Sequence, residues 1–187
     1  EFSKLTERAL RLVLKNDDPD KPDFKTRYAL AELLFQQGGY NEASVHHEKV
    51  GNTSTEPTMT HDADYAALYS VQKSLEREKT KAQQDRLKVL SLAYIQKHPK
   101  GQYALPVQLQ VALGEYESNN DQVAEKYLIP LVAQTTNKEV RHKAQDLMLD
   151  IYNLRKNYPE LKNKAALYLK DSDTPARKTS RLCSRKT

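Results

Sequence analysis

Tryptophan is absent, cysteine occurs once, at Cys183, and only five glycines are spread over 187 residues. A single cysteine excludes an intrachain disulfide and any cysteine-rich zinc site, while leaving the compartment open. Scarce glycine argues against a strand-and-turn fold and for long helices. Long apolar runs are missing too. Lys, Glu, Gln or Asp interrupts the apolar residues every few positions, so no segment approaches the roughly 18 to 20 apolar residues that cross a bilayer as a helix. Gly38-Gly39 lacks the following Lys-Ser/Thr and the preceding strand of a phosphate-binding loop, which excludes that route to nucleotide binding. The chain opens Glu1-Phe2, without an initiator Met or a basic-then-apolar secretory start, and this fits an internal fragment whose targeting information lies elsewhere.

Hydrophobic residues make up 38% and charged residues 29% of the chain, and its length allows one domain or one run of stacked repeats. The net charge of +5 is mostly local. From Asp171 onward Arg177, Lys178, Arg181, Arg185 and Lys186 stand against Asp171 and Asp173, a surplus of three, which leaves about +2 for the rest. Residues 171–187 also lack a periodic apolar face, and the composition predicts a basic, disordered tail.

Helical spacing runs through residues 1–170. Leu5, Ala9, Leu12 and Val13 predict the buried face of a first helix that ends before Asn16-Asp17-Asp18-Pro19. A second helix follows Pro22-Asp23 with Phe24, Tyr28, Ala31, Leu34 and Phe35, stops at Gly38-Gly39 and leads into a third near Asn41. The polar stretch Gly51 to Thr58 reads as a longer surface loop, with a new helix from His61 or Asp62. Lys73 to Arg86 reads as a solvated extension, and the next helix runs from about Asp85 to Lys97. A hairpin then turns at Asn119-Asn120, and a last pair runs from about Lys138 to Arg155 and from Pro159 to Leu169.

Internal periodicity links two of these hairpins. Ala31 and Ala43 stand twelve apart, with Gly38 and Tyr40 between them, and Ala112 and Ala124 repeat that spacing with Asn119 at the turn and Asp121 in place of the aromatic. Small residues let paired helices approach closely, and glycine ends the first of them in a left-handed conformation. The pattern resembles the tetratricopeptide repeat. Pro99 falls at the helix-terminating position of the middle unit, although about 13 residues beyond two ideal repeats separate the two better matches. The resemblance implies an all-α, right-handed superhelical solenoid of antiparallel helix pairs over 1–170, with units 24–57, 62–100, 105–136 and 138–169. Ala93 to Ala104, reading aromatic, Pro, then Tyr-Ala, is similar to units of bacterial cell-envelope repeat proteins, which implies a periplasmic scaffold rather than a cytoplasmic one.

In such a solenoid the first helices of successive pairs line a concave surface that cradles a partner protein or peptide. On this chain that rule selects Arg27, Glu32, Gln36, Tyr65, Tyr69, Gln108, Glu115 and His142. The resemblance implies no cofactor, metal or catalytic group, and at most indirect contact with a membrane. His46-His47-Glu48 is the one cluster suggestive of metal chemistry, but adjacent helical residues diverge by about 100°, so a solvated helix face is expected there. His61, His98 and His142 stand isolated in sequence, with surface or capping roles expected. Eleven tyrosines are the most distinctive compositional feature, expected mostly at helix packing positions. The alternative reading is polyanion binding by the basic tail; five cations without interleaved aromatics make nucleic acid the weaker expectation.

Overall fold

The computed structural model describes residues 2–170, and among them nine helices and no strand form. In order they are α1 (Phe2–Lys15), α2 (Phe24–Gln36), α3 (Tyr40–Thr53), α4 (Pro57–Arg77), α5 (Lys81–Lys97), α6 (Ala104–Glu117), α7 (Asp121–Gln134), α8 (Lys138–Leu154) and α9 (Tyr158–Lys170). The chain is all-α, as expected. The helices gather into two compact units, Glu1–Ala104 and Leu105–Thr187. The basic tail expected at 171–187 lies outside the described residues.

Local chemistry sets four of the helix starts. The Asp23 carboxylate accepts the Thr26 amide at 2.9 Å to cap α2, Thr80 accepts from Gln83 at 3.2 Å to cap α5, and Asn137 accepts from Val140 at 3.1 Å to cap α8. Pro57 occupies the first turn of α4, where a missing amide proton costs nothing.

Three hairpin turns share one backbone geometry. Gly38, Asn119 and Lys156 take φ values of +80°, +62° and +55°. In each turn the next residue donates its amide back to the helix: Gly39 to Leu34 O at 2.8 Å, Asn120 to Glu115 O at 2.8 Å and Asn157 to Tyr152 O at 2.9 Å. This satisfies a carbonyl that the helix end would otherwise leave orphaned. Asn119 therefore does what Gly38 does, because asparagine tolerates the left-handed region better than other residues with a Cβ. Ala31, Ala43, Ala112 and Ala124 all have 0% exposure, as the twelve-residue spacing predicts.

Three expectations are corrected. α3 continues to Thr53 and α4 begins at Pro57, so the polar loop shrinks to Ser54–Glu56; Gly51 is kept helical because it lies directly under Asp64, where a Cβ would come within 2.8 Å of the carboxyl carbon. The Lys73 to Arg86 stretch is largely exposed but forms no extension of its own: α4 ends at Arg77 and α5 starts at Lys81, with Ser74 buried and joined to Gln83 at 2.6 Å. On α1 the packed side is Leu10 and Leu14, against Leu30, Leu34 and Ala43. Leu5, Leu12 and Val13 are instead 63%, 62% and 53% exposed, because the amphipathic stripe has two apolar edges and only one meets α2. α6 buries Val107 and Val111 and leaves Leu113 45% exposed.

In the first unit α3 packs most extensively on α4. The second unit's core comprises Tyr116, Leu128, Leu131, Met148, Ile151, Tyr152 and Tyr168 around the alanine pair.

Replacing Gly38 by Ala is expected to cost about 1–3 kcal/mol, from the left-handed φ and from a Cβ 2.6 Å from the Arg77 guanidinium. Asn119→Gly is expected to gain a few tenths to about 1 kcal/mol. Urea denaturation midpoints check both, and unchanged midpoints would refute the shared turn geometry as a source of stability.

Candidate functional site

Helix α4 carries His61, Tyr65, Tyr69, Lys73 and Arg77 at intervals of four, which on a helix of 3.6 residues per turn keeps them in one slowly winding row. The Tyr65 and Tyr69 rings lie nearly parallel with centroids 6.0 Å apart. Phe35 of α2 stacks on Tyr69 at 5.7 Å and reaches Tyr40 of α3 at 5.0 Å. Toward the start of α4, Tyr103, in the turn before Ala104, stacks on Tyr65 at 3.7 Å and lies parallel to His61 at 5.8 Å. The result is a continuous row of rings drawn from three helices and one turn.

Tyr94 of α5 backs this row. It is 1% exposed, meets Tyr65 edge-on at 5.9 Å, and its hydroxyl lies 2.7 Å from His61 Nε2. Burial pushes its phenol up to about 12. Burial also raises the phenols of Tyr28 and Tyr65, so these hydroxyls stay protonated and remain hydrogen-bond donors at neutral pH. Tyr28, Tyr65, Tyr69 and Tyr103 are half-buried. The hydroxyls of Tyr28 and Tyr65 have no hydrogen-bond partner among the described residues.

Charges frame the row. Glu32 and Asp62 keep side-chain exposures of 44% and 48%. At the other end Lys73 Nζ lies 5.5 Å from the Tyr69 ring and pairs with Glu76 at 2.8 Å. Arg77 lies 4.4 Å over Tyr40 and donates to Gly38 O at 3.0 Å, tying the end of α4 to the α2–α3 turn.

The histidines depart from expectation. His47 is not on a solvated face: it is 1% exposed, with Nε2 2.9 Å from Glu32 Oε1 and its ring edge-on to Tyr28 at 5.3 Å. Adjacent residues diverge on a helix, so turning His47 inward leaves His46 half-buried toward Glu42, at 3.8 Å. Burial pushes both imidazoles below their ordinary value, and for His47 the Glu32 carboxylate opposes that shift. His61 and His98, far apart in sequence, come together with ring centroids 5.0 Å apart. His98 Nε2 lies 2.8 Å from Asp64 Oδ2, and Lys97 Nζ reaches the same carboxylate at 3.2 Å. A Cβ at Gly101 would come within 2.8 Å of His61 Nε2, so glycine there lets the loop pass over the cluster. No group of three His, Cys, Asp or Glu side chains among the described residues could hold a metal ion, and no described helix is long and apolar enough to cross a membrane.

Of the residues selected from sequence, Tyr65 and Tyr69 form the centre of the row, Glu32 lies at its margin and Gln36 is exposed on α2. Arg27 is not surface lining. It is 7% exposed and paired with Asp17 at 2.9 Å, and Asp17 is held below its ordinary value first by the Asp23 amide and then by Arg27. Gln108, Glu115 and His142 belong to the second unit. Glu115 is 4% exposed and accepts from Asn120 at 2.9 Å, a structural use at the α6–α7 turn, while Gln108 and His142 are half-buried. Sequence reading left out Tyr28, His61 and Tyr103 as site residues. The four-residue interval His61, Tyr65, Tyr69 was a usable signal for the second; Tyr103 lies in a turn, where no helical spacing could place it. Comparison with protein-family models, with curated proteins and with solved structures finds no match to this chain.

Because His47 is held neutral by burial, the unfolded chain takes up a proton near pH 6.5 that the folded chain refuses until lower pH. Stability from this site is therefore complete above the unfolded value and falls as pH drops below it. Thermal melts are expected to decline from pH 7 to pH 5 in the native chain and to decline less steeply in His47→Gln, the slope that remains belonging to His46; parallel profiles would refute the assignment.

Proposed function

We propose that this chain is a non-catalytic interaction scaffold, a tetratricopeptide-like helical-repeat protein that holds a segment of a partner protein along the Tyr65, Tyr69 and Tyr103 row. The observation that carries the reading is the row itself. Tyrosine offers large rigid contact area at low entropic cost, with a polar hydroxyl to orient a partner, which is why it is enriched at binding surfaces. Here four half-buried tyrosines lie on one side of one unit, held from behind by Tyr94 and His47, so little ordering remains to be done on binding. The repeat reading is supported by the three matching hairpin turns and by the closed alanine pairs. The likeness of Ala93 to Ala104 to cell-envelope repeats extends the proposal to a bacterial periplasmic complex.

The test is a photo-crosslinker at Gln36 compared with one at Lys126, in chains with and without Tyr65→Ala and Tyr69→Ala. The expected result is one partner crosslinked from Gln36 and not from Lys126, with yield falling at least about tenfold in the double variant, whose helicity is checked by circular dichroism. Equal yields from native and variant chains would overturn the proposal. Capture that requires residues 171–187 and collapses between about 50 and 200 mM salt would transfer the function to polyanion binding by the tail.

A further inference from the structure

We propose that the outer face of α1 binds an anionic membrane surface, with the helix lying in the plane of the interface. At about 100° per residue, Leu12, Leu5, Ala9, Phe2 and Val13 fall in that order within an arc of about 100°. All are exposed, Phe2 at 87%. The packed pair, Leu10 and Leu14, is turned about 130° from the centre of this stripe, so the rest of the unit stands behind it and leaves it open.

Charge selects the occupant. Along the free edge of the stripe Lys4, Lys15 and Arg8 fall within about 40° of one another. All three are exposed, and none pairs with a described residue. Glu7, the acid of α1, lies past Leu14 on the packed side and is taken by Arg11 at 2.8 Å. The exposed half of the helix is therefore apolar along its middle and purely cationic along one edge. That is the pattern of a helix at a lipid interface, where apolar side chains enter the acyl boundary and long basic side chains reach back to anionic headgroups. A stable protein interface takes about 800 Å² and roughly 20 to 30 residues from each partner. One convex face of a 14-residue helix falls well short of that, whereas a fluid lipid surface needs no matching groove. No described helix can cross a bilayer, so the contact lies in the plane of the surface. Such contact is direct, unlike that implied by the repeat resemblance.

The chain has no tryptophan, so Val13→Trp in the full chain places a sole reporter on the stripe. It is titrated to about 1 mM lipid with vesicles of phosphatidylcholine, alone or containing about 30% phosphatidylglycerol. The expected result is a saturable blue shift of the tryptophan emission with the anionic vesicles and at least about tenfold weaker binding to the neutral ones. Leu5→Gln with Leu12→Gln, both at exposed positions and checked for helicity by circular dichroism, is expected to weaken binding at least about tenfold. Arg8→Gln is expected to cost about fivefold and Arg8→Lys almost nothing. Tyr65→Ala with Tyr69→Ala is expected to leave vesicle binding unchanged, which separates this surface from the aromatic row. Glutamine in place of Arg177, Lys178, Arg181, Arg185 and Lys186 is expected to leave the shift at saturation in place. No shift with anionic vesicles would overturn the proposal, as would a shift that disappears with those tail cations. A shift that develops without lipid as protein concentration rises would assign the stripe to a second copy instead, and an equal shift from an acidic amphipathic peptide would assign it to a protein partner; either overturns the lipid occupant.

Discussion

The aromatic row depends on how closely α2, α3 and α4 approach one another, and that approach depends on residues with almost no side chain. Ala31, Ala43 and Ala63 have 0% exposure and Ala67 has 1%, and Gly51 is buried in α3 beneath Asp64. Interiors are packed at crystal-like density, so a methylene added at such a crossing moves a whole helix rather than one side chain. Phe35 can reach both Tyr69 and Tyr40 only because the helices that carry them are held at this distance.

Charged side chains then act as ties between helices that are already close. Arg11 joins α1 to Glu42 at 2.6 Å, Arg86 joins α5 to Glu48 at 2.7 Å, and Lys97 bridges Asn52 and Asp64 at 2.9 and 3.2 Å. Most of these pairs are partly exposed, where such contacts contribute little individually and more as fixers of register. The pair of Arg27 with Asp17, at 9% and 12% side-chain exposure, differs from these in lying where water screens it least.

Helical periodicity made the number of hairpins, the alanine pairs and the turn at Asn119-Asn120 legible, because each is decided by neighbours within one or two turns. Three kinds of feature were not. The length of the Gly51–Thr58 loop was misread because a glycine that breaks an isolated helix is stabilised here by a helix crossing over it, a contact with Asp64 far along the chain. The buried side of α1 was misread because two apolar stripes satisfy the same spacing, and only the position of α2 chooses Leu10 and Leu14. His47 looked solvated because a polar residue goes inward only when a distant partner, here Glu32, accepts its hydrogen bond.

The same dependence on distant partners divides the tyrosines into two populations that composition cannot separate. In the second unit Tyr116 and Tyr152 are 7% and 8% exposed, and their hydroxyls donate to Asp150 and, at 3.0 Å, to Glu125. Each burial is permitted by a carboxylate that accepts the hydroxyl's hydrogen bond, and Arg155 in turn offsets Glu125 at 2.7 Å. In the first unit the carboxylates near the rings are already committed, Glu32 to His47, Asp62 to His61 and Asp64 to His98 and Lys97. A tyrosine is buried where a fixed partner takes its hydrogen bond, Asp150 or Glu125 in the second unit and His61 for Tyr94 in the first, whereas Tyr28 and Tyr65, whose hydroxyls no described residue engages, stay half-buried.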